Sequence, residues 1–285
     1  MCTNPPGFNR KIKNYNLKNV VKTFKYKLEI DREGTINITG GEPLLHPQFV
    51  ELMNYVSSFK KRIALYTNGR LLNYYKLLKT IAKMKNILIG VSIHGNNAKI
   101  HERITLTKKS FEQTINGLKR LLKVKNKEQL IEVRIVITKL NYQYIKKTLD
   151  YLKREFSAID RAVLIFHEIE GLAIKNIKKV LVTYTKFGEE LKKINIEEYP
   201  FEVRLYHFPL CVVPKGFWQN IYRTQEKKDV KYITNCRSCK HKKECMGINK
   251  GYLKYKNGKE FKPIKVYYKY EGSNDYHHPI VKLLS

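Results

Sequence analysis

Apolar and polar positions alternate along the chain in a repeating order of short strand, polar turn and amphipathic helix. The first unit is Thr35-Ile36-Asn37-Ile38-Thr39, whose period of two predicts a strand over 35–39. A helix follows over 47–59, where Phe49, Val50, Leu52, Met53 and Val56 recur at helical spacing. The same order predicts a strand over 63–67 and a helix over 71–84, then an apolar run over 87–93 and a helix over 110–124. Ser110 and Gln113 would form a capping box at the start of that helix. Strands over 133–137 and 162–166, each with a helix behind it (142–155 and 177–194), complete five repeats. Such a rhythm predicts an α/β fold with a parallel sheet and crossover helices. Its near-continuous apolar strands fit a sheet covered on both faces.

Polar or special residues recur where these strands end: Glu42, Asn68, His94 and Thr138. Parallel α/β sheets and barrels place their sites at those ends. After about residue 200 the rhythm stops, and short strand-like pieces (202–206, 251–255, 264–270) alternate with loops. The chain therefore divides into a main region over 1–200 and a small cysteine-rich extension over 201–285. At 285 residues and 42% hydrophobic content it can bury a sizeable core. It shows no apolar run long enough to span a bilayer and no secretory leader, so the expected location is cytoplasmic, with no membrane.

Charge changes the picture less than its size suggests. With 56 Lys+Arg against 25 Asp+Glu the net charge is +31. That invites an anionic partner, nucleic acid or an acidic peptide. The lysines, however, are spread along nearly every helix rather than gathered into one arm, which is equally the mark of a compositional bias. No sequence signature of the common RNA-binding modules accompanies them.

The Gly40-Gly41-Glu42-Pro43 turn is the most unusual way any of these strands ends. Glycines let the backbone turn sharply and approach a ligand closely, while Pro43 stops the ladder and keeps Glu42 extended. The carboxylate then stands at the strand end beside bare backbone groups; a plain strand-to-helix turn is the competing reading. Of the 5 cysteines, Cys211, Cys236, Cys239 and Cys245 cluster late in the chain and Cys2 stands alone. An odd, clustered set argues against a disulfide framework and for metal ligation. Four thiolates, three of them within ten residues, suit a tetrahedral zinc or a [4Fe–4S] cluster equally.

Taken in order, the pieces Ile38-Thr39-Gly40-Gly41-Glu42-Pro43-Leu44, Tyr66-Thr67-Asn68-Gly69, Val91-Ser92-Ile93-His94-Gly95, Ile100-His101-Glu102-Arg103-Ile104-Thr105 and Val133-Arg134-Ile135-Val136-Ile137 resemble the radical S-adenosylmethionine (SAM) enzymes. The resemblance implies a partial (β/α)6 TIM-type barrel, its first strand missing here, that binds SAM and a [4Fe–4S] cluster and generates a 5′-deoxyadenosyl radical. It places Gly40, Gly41, Glu42 and Pro43 at the methionine amine, with Asn68 in the same cofactor site. Ser92 and Arg134 would hold ribose hydroxyls and the methionine carboxylate, for which a guanidinium is well matched. A one-residue slip in register would instead turn Arg134 outward. His94 and His101 are expected to shape loops.

In this family the radical-generating cluster is held by Cys-x3-Cys-x2-Cys. Cys2-Thr3-Asn4-Pro5-Pro6 resembles the last cysteine of that motif, which makes Cys2 the expected catalytic and metal-ligating residue. The two other cysteines are expected upstream of Met1, in a longer reading frame; a decayed member without radical chemistry is the alternative. Cys236-x2-Cys239-x5-Cys245 resembles the auxiliary-cluster extension called SPASM, or its shorter twitch form. Asn249 stands where a further cysteine is usual, so one auxiliary cluster held by Cys211, Cys236, Cys239 and Cys245 is expected, with zinc as the alternative. Pro209-Leu210-Cys211, followed by Trp218, is similar to the maturases of the His-Xaa-Ser peptide system. The function implied is radical modification of a ribosomally made peptide, with a flavodoxin- or ferredoxin-like electron donor. Modification of RNA or a small molecule, and a non-catalytic Fe–S or zinc binding subunit, are the competing readings.

Overall fold

The structure is a computed structural model and describes residues 17–19, 21–22, 34–273 and 278–284. Seven strands form one parallel sheet whose order follows the chain: β1 (Ile36–Ile38), β2 (Ile63–Thr67), β3 (Ile87–Ser92), β4 (Gln129–Ile137), β5 (Arg161–Phe166), β6 (Glu202–Tyr206) and β7 (Ile221–Tyr222). The sheet curls into a half-barrel, the partial TIM-type barrel that the resemblance implies. Among the described residues, six helices of eight residues or more connect or flank the strands: α1 (Phe49–Ser57), α2 (Tyr75–Ala82), α3 (Ala98–Thr105), α4 (Ser110–Val124), α5 (Ile145–Glu155) and α6 (Tyr184–Leu191).

The period of two separates the two faces of the sheet. Ile36, Ile38, Ile63, Leu65, Ile87, Ile89 and Val91 point to the convex side and join the helices in the main core. Helix α5 shows how the helices answer: Ile145, Thr148, Leu149 and Leu152 are buried at helical spacing while its lysines face solvent. Alternate positions line the concave side, where Val163, Ile165, Tyr206 and Tyr222 make a separate small apolar cluster.

Several elements depart from the expected pattern for identifiable reasons. Strand β4 begins four residues early, because Gln129 donates to the carbonyls of Ile81 and Met84 (2.8 and 2.9 Å) and so anchors a polar start. The helix expected over 177–194 breaks in two. Lys139 N–H takes the Val180 carbonyl (2.8 Å), and Thr183 caps a fresh helix by accepting from Lys186 N–H (3.3 Å). The capping box at Ser110 does not form: the Ser110 hydroxyl lies 2.8 Å from that of Thr105, and Gln113 accepts from Arg70 Nε (2.7 Å).

The piece over 202–206 joins the parallel sheet as β6, with Val203 and Leu205 in the main core and Glu202 and Arg204 on the concave side. Asn249 starts a helical turn over Lys250–Leu253 where a strand-like piece was expected. Of 264–270, Tyr270 alone lies in a strand: Tyr270–Glu271 pairs antiparallel with Lys282–Leu283. Residues 278–280 cover the β7 edge through Ile280 N–H to Ile221 O (2.9 Å) and Arg223 N–H to His278 O (3.2 Å). An aromatic cluster ties this last part of the chain to the barrel. Phe166 of β5 stacks on Tyr184 at 3.6 Å, and Tyr252 and Phe261 pack edge-on against Tyr184.

Candidate functional site

The Gly-Gly-Glu-Pro turn leaves β1 with Gly40 at φ +135°, a region that L side chains rarely adopt although the space around its Cα is open. Pro43 starts a 3-10 turn over Pro43–Leu45, and Glu42 caps it. One carboxylate oxygen of Glu42 accepts from Leu44 N–H (3.1 Å) and the Thr67 hydroxyl (2.6 Å), and the other accepts from Asn68 N–H (2.7 Å). Glu42 thus ties the end of β1 to the end of β2. Burial holds its carboxyl above the usual range, although these donors pull the other way. The acceptor capacity that remains is what Glu42 can offer a ligand.

Asn68 continues the same network. Its side chain accepts from Arg70 N–H (3.0 Å), and its carbonyl accepts from the Thr114 hydroxyl (2.8 Å). Helix α4 can approach this closely because position 117 is glycine; a Cβ there would lie 2.1 Å from the Gly69 carbonyl oxygen. Glu42 and Asn68 line one cavity of about 540 Å³ together with Arg70, Asn73, Lys109 and Gln113.

Ser92 and Arg134 are register partners on adjacent strands, so they stand side by side on the concave face. Arg134 does not turn outward. Its Nη1 lies 2.5 Å from Glu132 Oε1, and its guanidinium stacks over Tyr66 at 4.4 Å. Gly90 makes that stacking possible. A Cβ at this position would meet Tyr66 Cδ1 at 2.6 Å and Arg134 Cδ at 2.9 Å.

Arg134 also opens a ladder of charges that the sequence reading missed. Glu132, only 1% exposed, bridges Arg134 and Arg161; Glu202 then links Arg161 (3.4 Å) and Arg204 (2.7 Å). The signal was available: Glu132/Arg134 and Glu202/Arg204 are charged pairs two residues apart inside otherwise apolar strands, so each pair shares one face.

His94 and His101 lie beyond β3 and act as scaffold. His101 Nδ1 accepts from His94 N–H (3.2 Å), the rings stack at 5.6 Å, and Asn141 donates to the His94 carbonyl (3.0 Å). Burial lowers their pKa values to about 3 and about 4, so both are neutral at neutral pH.

In the last third of the chain Cys211, Cys236, Cys239 and Cys245 line one small cavity of about 20 Å³, and all four are free thiols. A 3-10 turn over Thr234–Ser238 presents Cys236 and Cys239, with Cys239 N–H bonded to the Cys236 carbonyl (3.3 Å). Burial, and then the neighbouring cysteines, raise the Cys211 and Cys245 thiols, Cys245 to about 11. Thiols that mutually disfavour ionisation are the donor set that a bound iron or zinc centre would stabilise as thiolates. Among the described residues, no three His, Cys, Asp or Glu side chains close on a single metal position. Cys2, the remaining expected ligand, lies outside the described residues. The two sets of expected residues are therefore brought together separately. Gly40 to Pro43, Asn68, Ser92 and Arg134 gather at the ends and inner face of β1–β4, and the four late cysteines gather around their own cavity.

The radical SAM superfamily model matches residues 1–152, more than half of the chain. The antilisterial bacteriocin subtilosin biosynthesis protein AlbA of Bacillus subtilis is 37% identical over 89 residues, 30% of this chain and 19% of that protein. GTP 3′,8-cyclase of Vibrio vulnificus is 29% identical over 157 residues, 50% of this chain and 45% of that protein. The structure of Streptococcus suis SuiB bound to S-adenosylmethionine superposes with a TM-score of 0.53 at 18% identity, over 68% of this chain and 44% of that one. The chain spans between about a fifth and a half of the length of the curated relatives it matches. No helix among the described residues is long and apolar enough to cross a membrane. The fold, the strand-end turn and the family match converge: the chain belongs to the radical SAM superfamily.

Proposed function

We propose that this protein is a radical SAM enzyme that modifies a ribosomally made peptide, and that it carries one auxiliary [4Fe–4S] cluster on Cys211, Cys236, Cys239 and Cys245. The observation that carries the auxiliary cluster is that four free cysteines, Cys211 and the later triplet Cys236, Cys239 and Cys245, line one cavity. Four thiolates suit a tetrahedral zinc as well as a cluster; the likeness of their spacing to the auxiliary-cluster extension is what favours the cluster.

At the strand ends, Gly40 and Gly41 expose backbone groups, and the carboxylate of Glu42 would face the methionine amine of SAM. Arg134, held in place by Glu132 and Tyr66, keeps guanidinium donors for the methionine carboxylate. Ser92 beside it would take a ribose hydroxyl. When bound, SAM and its cluster supply the radical chemistry; the chain binds, orients and excludes water. Cys2 would contribute one thiolate to that cluster. One thiolate does not hold such a cluster on its own.

The likeness to AlbA, by its name a bacteriocin biosynthesis protein, supports a peptide substrate. The likeness to GTP 3′,8-cyclase favours a nucleotide as the second reading. An iron assay on anaerobically purified protein tests the auxiliary cluster. Cys236→Ser is expected to lose about four irons per chain. Unchanged iron in that variant, or stoichiometric zinc in the wild type, would overturn the assignment.

A further inference from the structure

The opposite end of the half-barrel carries a second built feature. A groove of about 830 Å³ opens between α1 and α2, beneath the N-terminal ends of β2 and β3. Six of its fourteen lining residues are lysines (Lys60, Lys61, Lys76, Lys79, Lys83 and Lys85), and none is acidic. Lys and Arg together make up about one residue in five of the chain, 56 of 285, so the groove concentrates cations well beyond the average. Lys76, Lys79 and Lys83 stand three and four residues apart and form a row along one helix face. Lys85 reaches Glu128 at 3.3 Å; the other five have no carboxylate within ion-pair distance among the described residues. Crowding like charges around a groove is unfavourable until an anion enters it.

We infer that this groove binds an acidic segment of the peptide substrate, away from the residue that reacts. The inference rests on the proposed peptide-modifying function. Its chemistry favours a peptide over a nucleic acid. Lysines take phosphate as well as carboxylate, but among the described residues the groove's lining holds no arginine for a bidentate fork and no open row of aromatic faces for bases. The tyrosine of the groove, Tyr75, already carries Lys79 over its ring at 5.5 Å. Asn54, Ser57, Thr80 and Asn86 supply side chains able to bond a peptide backbone. Strand β2, five residues or roughly 16 Å long, separates the groove from the Glu42–Asn68 end. The acidic segment and the reacting residue must therefore lie at least about five residues apart in the substrate.

Fluorescence anisotropy with a labelled peptide of alternating glutamate and glycine tests this on the full chain. The triple variant Lys76→Glu, Lys79→Glu, Lys83→Glu is expected to bind at least about tenfold more weakly than wild type. Lys→Ser at the same three positions should weaken binding less, and Ser at Arg120, Lys123 and Lys127, exposed on and after α4, should leave it nearly unchanged. Equal loss in both serine sets would mean diffuse charge and overturn the proposal, as would no measurable binding by wild type. Tighter binding of oligouridylate through the same lysines would assign the groove to nucleic acid and also overturn it. SAM cleavage without substrate is read in parallel on protein from the longer reading frame. Intact cleavage with lost peptide binding supports the groove, and lost cleavage in wild type with groove-dependent binding overturns the enzyme reading alone.

Discussion

The two ends of this half-barrel treat charge in opposite ways. On the concave face leading to the C-terminal strand ends, each guanidinium of the ladder meets a carboxylate: Arg134 and Arg161 meet Glu132, and Arg161 and Arg204 meet Glu202. Beneath the N-terminal strand ends, five lysines line a groove with no carboxylate beside them. Paired and buried charges fix side-chain geometry at the cost of desolvation, whereas unpaired surface charges cost little and wait for a counter-charge. On the proposed reading, the first end would hold a small ligand in one pose, and the second would attract a flexible one.

The difference can be broken most severely at Glu132. Glu132→Leu would strand Arg134 and Arg161 without their shared carboxylate, and a loss on the order of 4 kcal/mol is expected in urea unfolding. SAM binding should fall with it, because Arg134 loses the partner that aims it.

Acid should also act on the closed end. His101 is held neutral with a pKa lowered to about 4, below the 6.5 of an unfolded chain. Above pH 6.5 neither state carries the proton and nothing is lost. Between 6.5 and about 4 the unfolded chain takes a proton that the folded chain refuses, so stability falls as pH falls. The loss from this group is on the order of 3 kcal/mol, and His101→Phe should flatten that part of the stability–pH curve.

Thr67→Val removes the hydroxyl that donates to Glu42 at 2.6 Å, and about 1.5 kcal/mol should be lost. Smallest of all is the expected effect of the groove variants on folding. Replacing Lys76, Lys79 and Lys83 by serine should change stability by no more than about 0.5 kcal/mol in thermal melts. A large loss there would mean that the lysines hold the fold and would erase the contrast.

How much of this was legible in the sequence follows the same division. The strand–helix rhythm placed β1 to β5 because apolar period is a local signal. Arg134 could not be oriented from sequence, since register decides its face; pairing with Ser92 and the missing Cβ at Gly90 settle it. The concave partners Arg161 and Glu202 lie 41 residues apart in the chain, and the parallel β5–β6 register sets them opposite each other. The strand over 202–206 was legible, but its place in the parallel sheet was not: Glu202 and Arg204 made it look like part of a loop-rich extension. The lysine groove was hidden for a different reason. Its residues are spread over the turn after α1, α2 itself and the turn before β3, and they read as dispersed until the two helices pack side by side.

The most direct measurement is 5′-deoxyadenosine formation from SAM by anaerobically reconstituted protein expressed from the longer reading frame, with iron counted in the same sample. With about eight irons per chain, wild type should form 5′-deoxyadenosine and Arg134→Leu should form at least about tenfold less. A wild-type protein with that iron content and no 5′-deoxyadenosine would contradict the enzyme reading. About four irons and no product would leave a cluster-bearing binding subunit in its place.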